Sequence, residues 1–130
     1  MSTKRILVID DERLTRISLA DFLQETDYEI YTASDSKSAL QLQQQQPFDV
    51  CIVDIRMPGM DGVETILALH NISSHSRYLI YTGSPQFTLT SALEKLGISE
   101  KYLVRKPIMD MSVFITLIKQ MINEKSGREG

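Results

Sequence analysis

Cys51 is the only cysteine in the chain. No disulfide framework can form around one thiol, so a reducing compartment is expected. Lying inside an apolar run, Cys51 reads as a small core residue without reactivity. Basic blocks are also missing. The 14 Lys and Arg residues face 17 Asp and Glu, a net charge of −3, which argues against direct nucleic-acid binding by this domain. No apolar run approaches a membrane span, and Met1–Arg5 leads into only four apolar residues, too few for a signal peptide. A cytoplasmic location without membrane contact is the expectation. Neither His70 nor His75 has an acid or cysteine paired with it, and both read as solvated. At 130 residues, 42% apolar and 24% charged, the chain has the length and composition of one ordinary globular domain.

What the chain does contain is a repeated arrangement, a short apolar run that ends on charge. Arg5–Ile9 passes into Asp10, Asp11 and Glu12, and Val50–Val53 ends on Asp54 before the Pro58-Gly59 turn. Such runs bounded by turn residues read as buried strands. A charged residue at the last position then lies at the carboxyl edge of the sheet, where open α/β sheets place their ligand chemistry. Tyr28–Ala33, Tyr78–Tyr81 and Tyr102–Val104 are three more strands; the last two lead into Thr82-Gly83 and Arg105-Lys106-Pro107.

Between the strands the period becomes helical. From Glu12 to Thr26 the sheet-facing stripe is Thr15, Ser18, Leu19, Phe22 and Leu23, which leaves Leu14 and Ile17 on another face. Ser34-Asp35-Ser36 holds N-cap candidates for a Gln-rich helix closed before Pro47, with Gln43–Gln46 as a solvated face. Val63–His70 makes a third helix, with Asp61 as a loop or helix-start acid and Met57 and Met60 packing in the loop before it. A fourth carries Leu89, Ala92, Leu93 and Leu96 and stops at Gly97, a natural C′ glycine. The last runs from about Asp110 to Glu124 and buries Phe114, Ile115 and Ile118. Residues 1–124 therefore form the domain, and 125–130 read as a disordered tail or the start of a linker.

Five strands alternating with five helices at short loop lengths define an α/β fold. It is a doubly wound (βα)5 five-stranded parallel sheet with right-handed crossovers and helices on both faces. The strand ends then gather Asp10, Asp11, Asp54, Thr82 and Lys106 at one edge. Three close carboxylates repel, and one or more would take up a proton unless a cation joins them. Hard oxygen ligands suit Mg²⁺, which pairs readily with phosphoryl oxygens. A cation, a lysine and a hydroxyl form a cradle for a transferring phosphoryl group, with a carboxylate as nucleophile. Ordinary strand-end capping explains this set less well, because three acids and a lysine converge.

Four segments carry a resemblance: Leu7–Glu12, Asp54–Gly62, Thr82-Gly83 and Lys106-Pro107. In this order, each at a strand end, they resemble the receiver domain of two-component response regulators over residues 4–124. The resemblance implies a flavodoxin-like receiver fold with strand order 2-1-3-4-5. It implies that Asp54 accepts a phosphoryl group from a phosphohistidine. Asp11 would ligate Mg²⁺ directly, Asp10 largely through water, with Asp54 and the backbone carbonyl of Arg56 as further ligands. Lys106 would pair with one phosphoryl oxygen, and Thr82 would swing its hydroxyl onto another. The bond before Pro107 would be cis. The partners implied are a sensor histidine kinase or phosphotransfer protein, docked on Leu14 and Ile17, and a downstream output domain or protein. A homodimer through the helix-four/strand-five/helix-five face belongs to the same set.

Two departures from the family pattern stand out. The position three before Lys106, usually aromatic, holds Leu103, and Tyr102 lies one residue earlier. Either the fifth strand bulges by one residue or the aromatic switch is altered, since alternation puts the two on opposite faces. Arg56, two residues past Asp54, has a side chain long enough to reach across the pocket and alter the lifetime of an aspartyl phosphate. That same arginine argues against a dehalogenase-like phosphatase, which needs an acid there. A receiver-shaped module that takes no phosphate is countered by the complete set of site residues. The expected role is a signalling switch, not an enzyme.

Overall fold

The computed structural model describes residues 3–57 and 60–129. Strands β1 (Arg5–Ile9) and β3 (Val50–Asp54) are buried along their whole length. Helices cover both faces of a parallel sheet, so its inner strands read as continuous apolar runs. At the edge, β2 (Glu29–Ala33) exposes Glu29, Tyr31 and Thr32. With β6 (Arg77–Thr82) and β7 (Leu103–Arg105) these complete a parallel sheet of order β2-β1-β3-β6-β7. Counted within the sheet alone, this is the order 2-1-3-4-5. Past Asp54 there is an element the sequence did not suggest: β4 (Arg56–Met57) pairs antiparallel with β5 (Met60–Asp61). Pro58 and Gly59, and the side chains of Arg56, Met57 and Met60, lie outside the described residues.

The helices are α1 (Arg13–Leu23), α2 (Ser36–Gln45), α3 (Gly62–Ile72), α4 (Ser91–Lys95) and α5 (Ser112–Glu129), with a 3-10 turn at Glu100–Tyr102. Alternation along the strands divides the core in two. Leu7, Ile9, Val53 and Ile80 pack against Ala39, Ile66, Leu69 and Leu93 of α2, α3 and α4. Ile6, Val8, Ile52 and Tyr81 pack against Leu19, Leu23, Phe114 and Ile118 of α1 and α5. Burying each such large apolar side chain stabilises the fold by roughly 1.5–3 kcal/mol before entropy is counted.

Several expectations change. In α1 the buried residues are Leu19, Ala20 and Leu23, while Ser18 is exposed. Gln43 does not belong to a solvated face; it is fully buried. Its Nε2 donates to the Leu69 carbonyl at 3.2 Å and Ser76 Oγ at 2.9 Å, and its Oε1 accepts from the Phe48 amide at 2.9 Å. A buried side-chain amide is tolerated when its donors and acceptor are met in this way. The fourth helix is little more than one turn, and Leu89 precedes it in a loop. The backbone of α5 stays helical to Glu129, where a disordered tail or linker was expected. A polar composition is compatible with helix formation, and Glu and Lys are strong helix formers.

Two glycines answer specific backbone demands. Gly97 has φ +90 and closes α4, with its own amide donating to the Glu94 carbonyl and the Ile98 amide to the Leu93 carbonyl. This double bond is the Schellman arrangement. At Gly62 a Cβ would lie 2.7 Å from the Ile55 Cα, so α3 starts against the end of the central strand only because that position is bare.

Candidate functional site

The β1–β3 register ends at Ile9↔Val53, so Asp10 and Asp54 come next, side by side at the carboxyl edge. Both are buried, whereas Asp11 is exposed. One carboxylate oxygen from each of the three lies within 4.8 Å of the others. Lys106 arrives from the end of β7, its amide donating to the Thr82 carbonyl at 2.8 Å. Its Nζ lies 3.4 Å from Asp54 Oδ2 and 3.9 Å from Asp10 Oδ2. One ammonium beside three converging carboxylates leaves an acidic, oxygen-only pocket, a donor set that suits a hard divalent cation. The structure thus brings together four of the residues singled out from the sequence.

Asp10 is held on both oxygens. Oδ1 accepts from the Glu12 amide at 2.9 Å, and Oδ2 accepts from the hydroxyl of Tyr81. Nothing in the sequence distinguished Tyr81 from the rest of its strand. It pairs in register with Asp54 across β3 and β6. Its ring stands edge-on to Phe114 at 5.6 Å, and Lys106 Nζ lies 4.4 Å from its centroid. Burial pushes the phenol far above its usual range, and the hydrogen bond and charge of Asp10 push it the same way. A buried tyrosine hydroxyl usually finds a partner, but Tyr78 in the same strand carries the same signal, so the pattern alone does not single out Tyr81.

Thr82 stands at the same edge, fully buried, with its Oγ1 accepting from the Ser84 amide at 3.0 Å. The neighbouring strand explains the missing aromatic. The pairs Ile80↔Leu103, Tyr81↔Val104 and Thr82↔Arg105 run without a bulge. Leu103 therefore shares the face of Ile80 and Thr82 and packs into the α2–α4 side of the core. Tyr102 lies in the 3-10 turn and packs on the α1/α5 side with Tyr81 and Phe114. Leu103 fills the usual aromatic position. Arg105 grips the loop after Thr82 instead, donating from Nη1 to the Ser84 carbonyl at 2.9 Å and from Nη2 to the Phe87 carbonyl at 2.8 Å.

The Lys106–Pro107 peptide is cis. Leu14 is 76% exposed and Ile17 37%. Leu14 lines a cavity of about 610 Å³ beside the acidic pocket, together with Ser18, Lys106, Pro107, Ile108 and Met111; Ile17 is not among its lining residues. Asp61 caps α3 by accepting from the Val63 amide at 2.8 Å. Cys51 is buried, and desolvation pushes its thiol well up. His75 is exposed and 2.6 Å from Ser73 Oγ, but His70, read as solvated, is half-buried and edge-on to Tyr78.

The sequence matches the family model of the response regulator receiver domain over residues 6–124. The chain belongs to the response regulator receiver family. This receiver is 27% identical over 97 residues to sporulation initiation phosphotransferase F of Bacillus subtilis, covering 75% of this chain and 78% of that one. It is 31% identical over 131 residues to the transcriptional regulatory protein PdtaR of Mycobacterium tuberculosis, covering 98% of this chain and 62% of that longer protein. A solved CheY-like receiver from Methanospirillum hungatei matches with a TM-score of 0.84 at 25% identity, covering 99% of this chain and all of that one. As a receiver of two-component response regulators, the domain serves phosphorelay signalling. Receivers work with histidine kinases or phosphotransfer proteins and with output domains, and they bind Mg²⁺ at an acidic pocket such as this one. Among the described residues no helix is long and apolar enough to cross a membrane.

Proposed function

We propose that Asp54 is the phosphoacceptor, and that residues 1–124 act as a phosphorylation switch without turnover of a substrate of their own. The observation that carries this reading is the three-carboxylate group with Lys106 Nζ 3.4 Å from Asp54 Oδ2. An Asp54 oxygen attacks the phosphorus of a donor phosphohistidine. The P–N bond breaks, and its electron pair returns to the imidazole nitrogen. Asp11 and Asp54 would hold Mg²⁺ directly and Asp10 largely through water, with the Arg56 carbonyl as a further protein ligand. Bound there, Mg²⁺ neutralises charge on the carboxylates and on the phosphoryl oxygens. Lys106 moves from its carboxylate contact to one phosphoryl oxygen. Thr82 releases the Ser84 amide and gives its hydroxyl to another.

That last exchange is the switch. It alters the loop between β6 and α4 and thereby the α4–β7–α5 face, favouring a form the domain already samples. An output domain or protein partner reads that face, which also serves a homodimer. The donor, a cytoplasmic histidine kinase or phosphotransfer protein, seats on Leu14 and Ile17 at the pocket mouth. The test is incubation with a small phosphodonor and Mg²⁺, followed by intact mass. One phosphoryl adduct, absent in Asp54→Asn, is the expected result. No adduct would make the domain a phosphate-independent interaction module.

A further inference from the structure

Asp10 is one of the acids meant to serve a cation, yet both its oxygens are already engaged by protein donors. The Glu12 amide takes Oδ1 at 2.9 Å, and the Tyr81 hydroxyl takes Oδ2. Two donors on opposite oxygens fix the plane of a carboxylate, and about half of its lone-pair sites remain for water or metal. The Tyr81 ring is itself held rigidly. It is 1% exposed, edge-on to Phe114, and paired through its backbone with Asp54. Lys106 Nζ sits 4.4 Å from the ring centroid while lying 3.9 Å from Asp10 Oδ2. One side chain thus touches Asp10 through its hydroxyl and Lys106 through its ring, and it also lines the cavity bordered by Leu14 and Lys106. The remainder of that residue's burial would be served equally well by phenylalanine. The hydroxyl is what a purely apolar core position would not need.

We propose that Tyr81 is a positioning residue of the phosphoryl-transfer pocket, orienting Asp10 through its hydroxyl for the cation site. The inference rests on the reading that this pocket holds Mg²⁺. Groups that orient metal-serving carboxylates from behind commonly change metal affinity by about tenfold to a hundredfold when removed. Tyr81→Phe keeps the ring, its packing on Phe114 and its contact with Lys106, and removes the single hydrogen bond.

The measurement is a titration of the full 130-residue chain with MgCl₂, followed through backbone amide shifts, with Tm recorded without metal. The expected outcome is a Kd raised severalfold, up to about tenfold, in Y81F, the lower end of the range because Asp10 serves the ion largely through water. In an Asp10→Asn background the same substitution should add nothing, because the effect runs through that carboxylate. An unchanged or tighter Kd in Y81F overturns the inference, and so does equal weakening in both backgrounds. If the unsubstituted chain binds no Mg²⁺, the metal reading itself falls and the inference with it. A second measurement needs no substitution. The Tyr81 hydroxyl proton should give a slowly exchanging resonance that shifts as MgCl₂ is added, and a resonance indifferent to MgCl₂ counts against the role even if Y81F fails to fold.

Discussion

At the scale of single residues, two side chains show how burial assigns meaning that a sequence pattern leaves open. Gln43 sits in a run of four glutamines and has the composition of a solvated face. In the fold it is the hub between the end of α3, Ser76 and the entry to β3. Gln43→Leu fills a similar volume but strands the buried Phe48 amide, while the Leu69 carbonyl keeps the Ser73 amide at 3.1 Å. Each unpaired buried group costs about 1–3 kcal/mol, so urea unfolding should show a loss of at least that size. A substitution at Gln44 or Gln45, both exposed, should move the midpoint little. Tyr81 repeats the lesson inside the pocket. Asp10, Asp11, Asp54 and Lys106 were legible because charge at a strand end has few other uses, whereas a tyrosine within an apolar run has many.

Elements add a second level, where ends and connections decide. Gly97 carries a positive φ that lets α4 close in one turn. Placing a Cβ there costs about 1–2 kcal/mol, so Gly97→Ala should lower stability by that amount and loosen α4 first in hydrogen exchange. Asp35 caps α2 by accepting from the Ser38 amide at 2.8 Å. The backbone amide, and then the side chain of Ser38, hold its carboxyl below the 3.8 of a free aspartate. A carboxyl lowered on folding contributes stability that is fully present above its unfolded value and is lost as pH falls through its folded one. Stability should therefore decline below about pH 4, and Asp35→Asn should flatten that decline in acid melts. Arg105 ties two carbonyls of the loop that follows Thr82. Arg105→Ala should speed amide exchange across residues 84–87 while leaving the sheet protected. This grip lies on the strand position paired with Thr82, so the loop is restrained by a guanidinium where Leu103 offers no aromatic ring.

For the whole molecule, the sheet topology turns separate strand ends into one site and leaves an apolar mouth beside it. Leu14 and Lys106 border the same cavity although they are far apart in the chain. Leu14→Ser combined with Ile17→Ser should slow phosphotransfer from a cognate kinase while leaving phosphorylation by a small phosphodonor unchanged. Full-rate transfer from the kinase would remove α1 from the docking surface. Because Leu14 lines the cavity and Ile17 does not, the Leu14 substitution alone should account for most of the loss.

The sequence by itself determined the fold class, the strand order through the resemblance it carries, and the acids and lysine that converge. The physical reason is local. Parallel strands covered on both faces must be apolar throughout, so charge appears only where each strand ends. The tertiary structure decided what no local pattern encodes. Leu103 takes the Thr82 face because β7 runs in register without a bulge. Gln43 is interior because the end of α3 and the entry to β3 close over it. Tyr81 reaches Asp10 across β3, joining residues 71 positions apart. Each depends on which strand lies beside which, and that pairing is set by packing over the whole sheet.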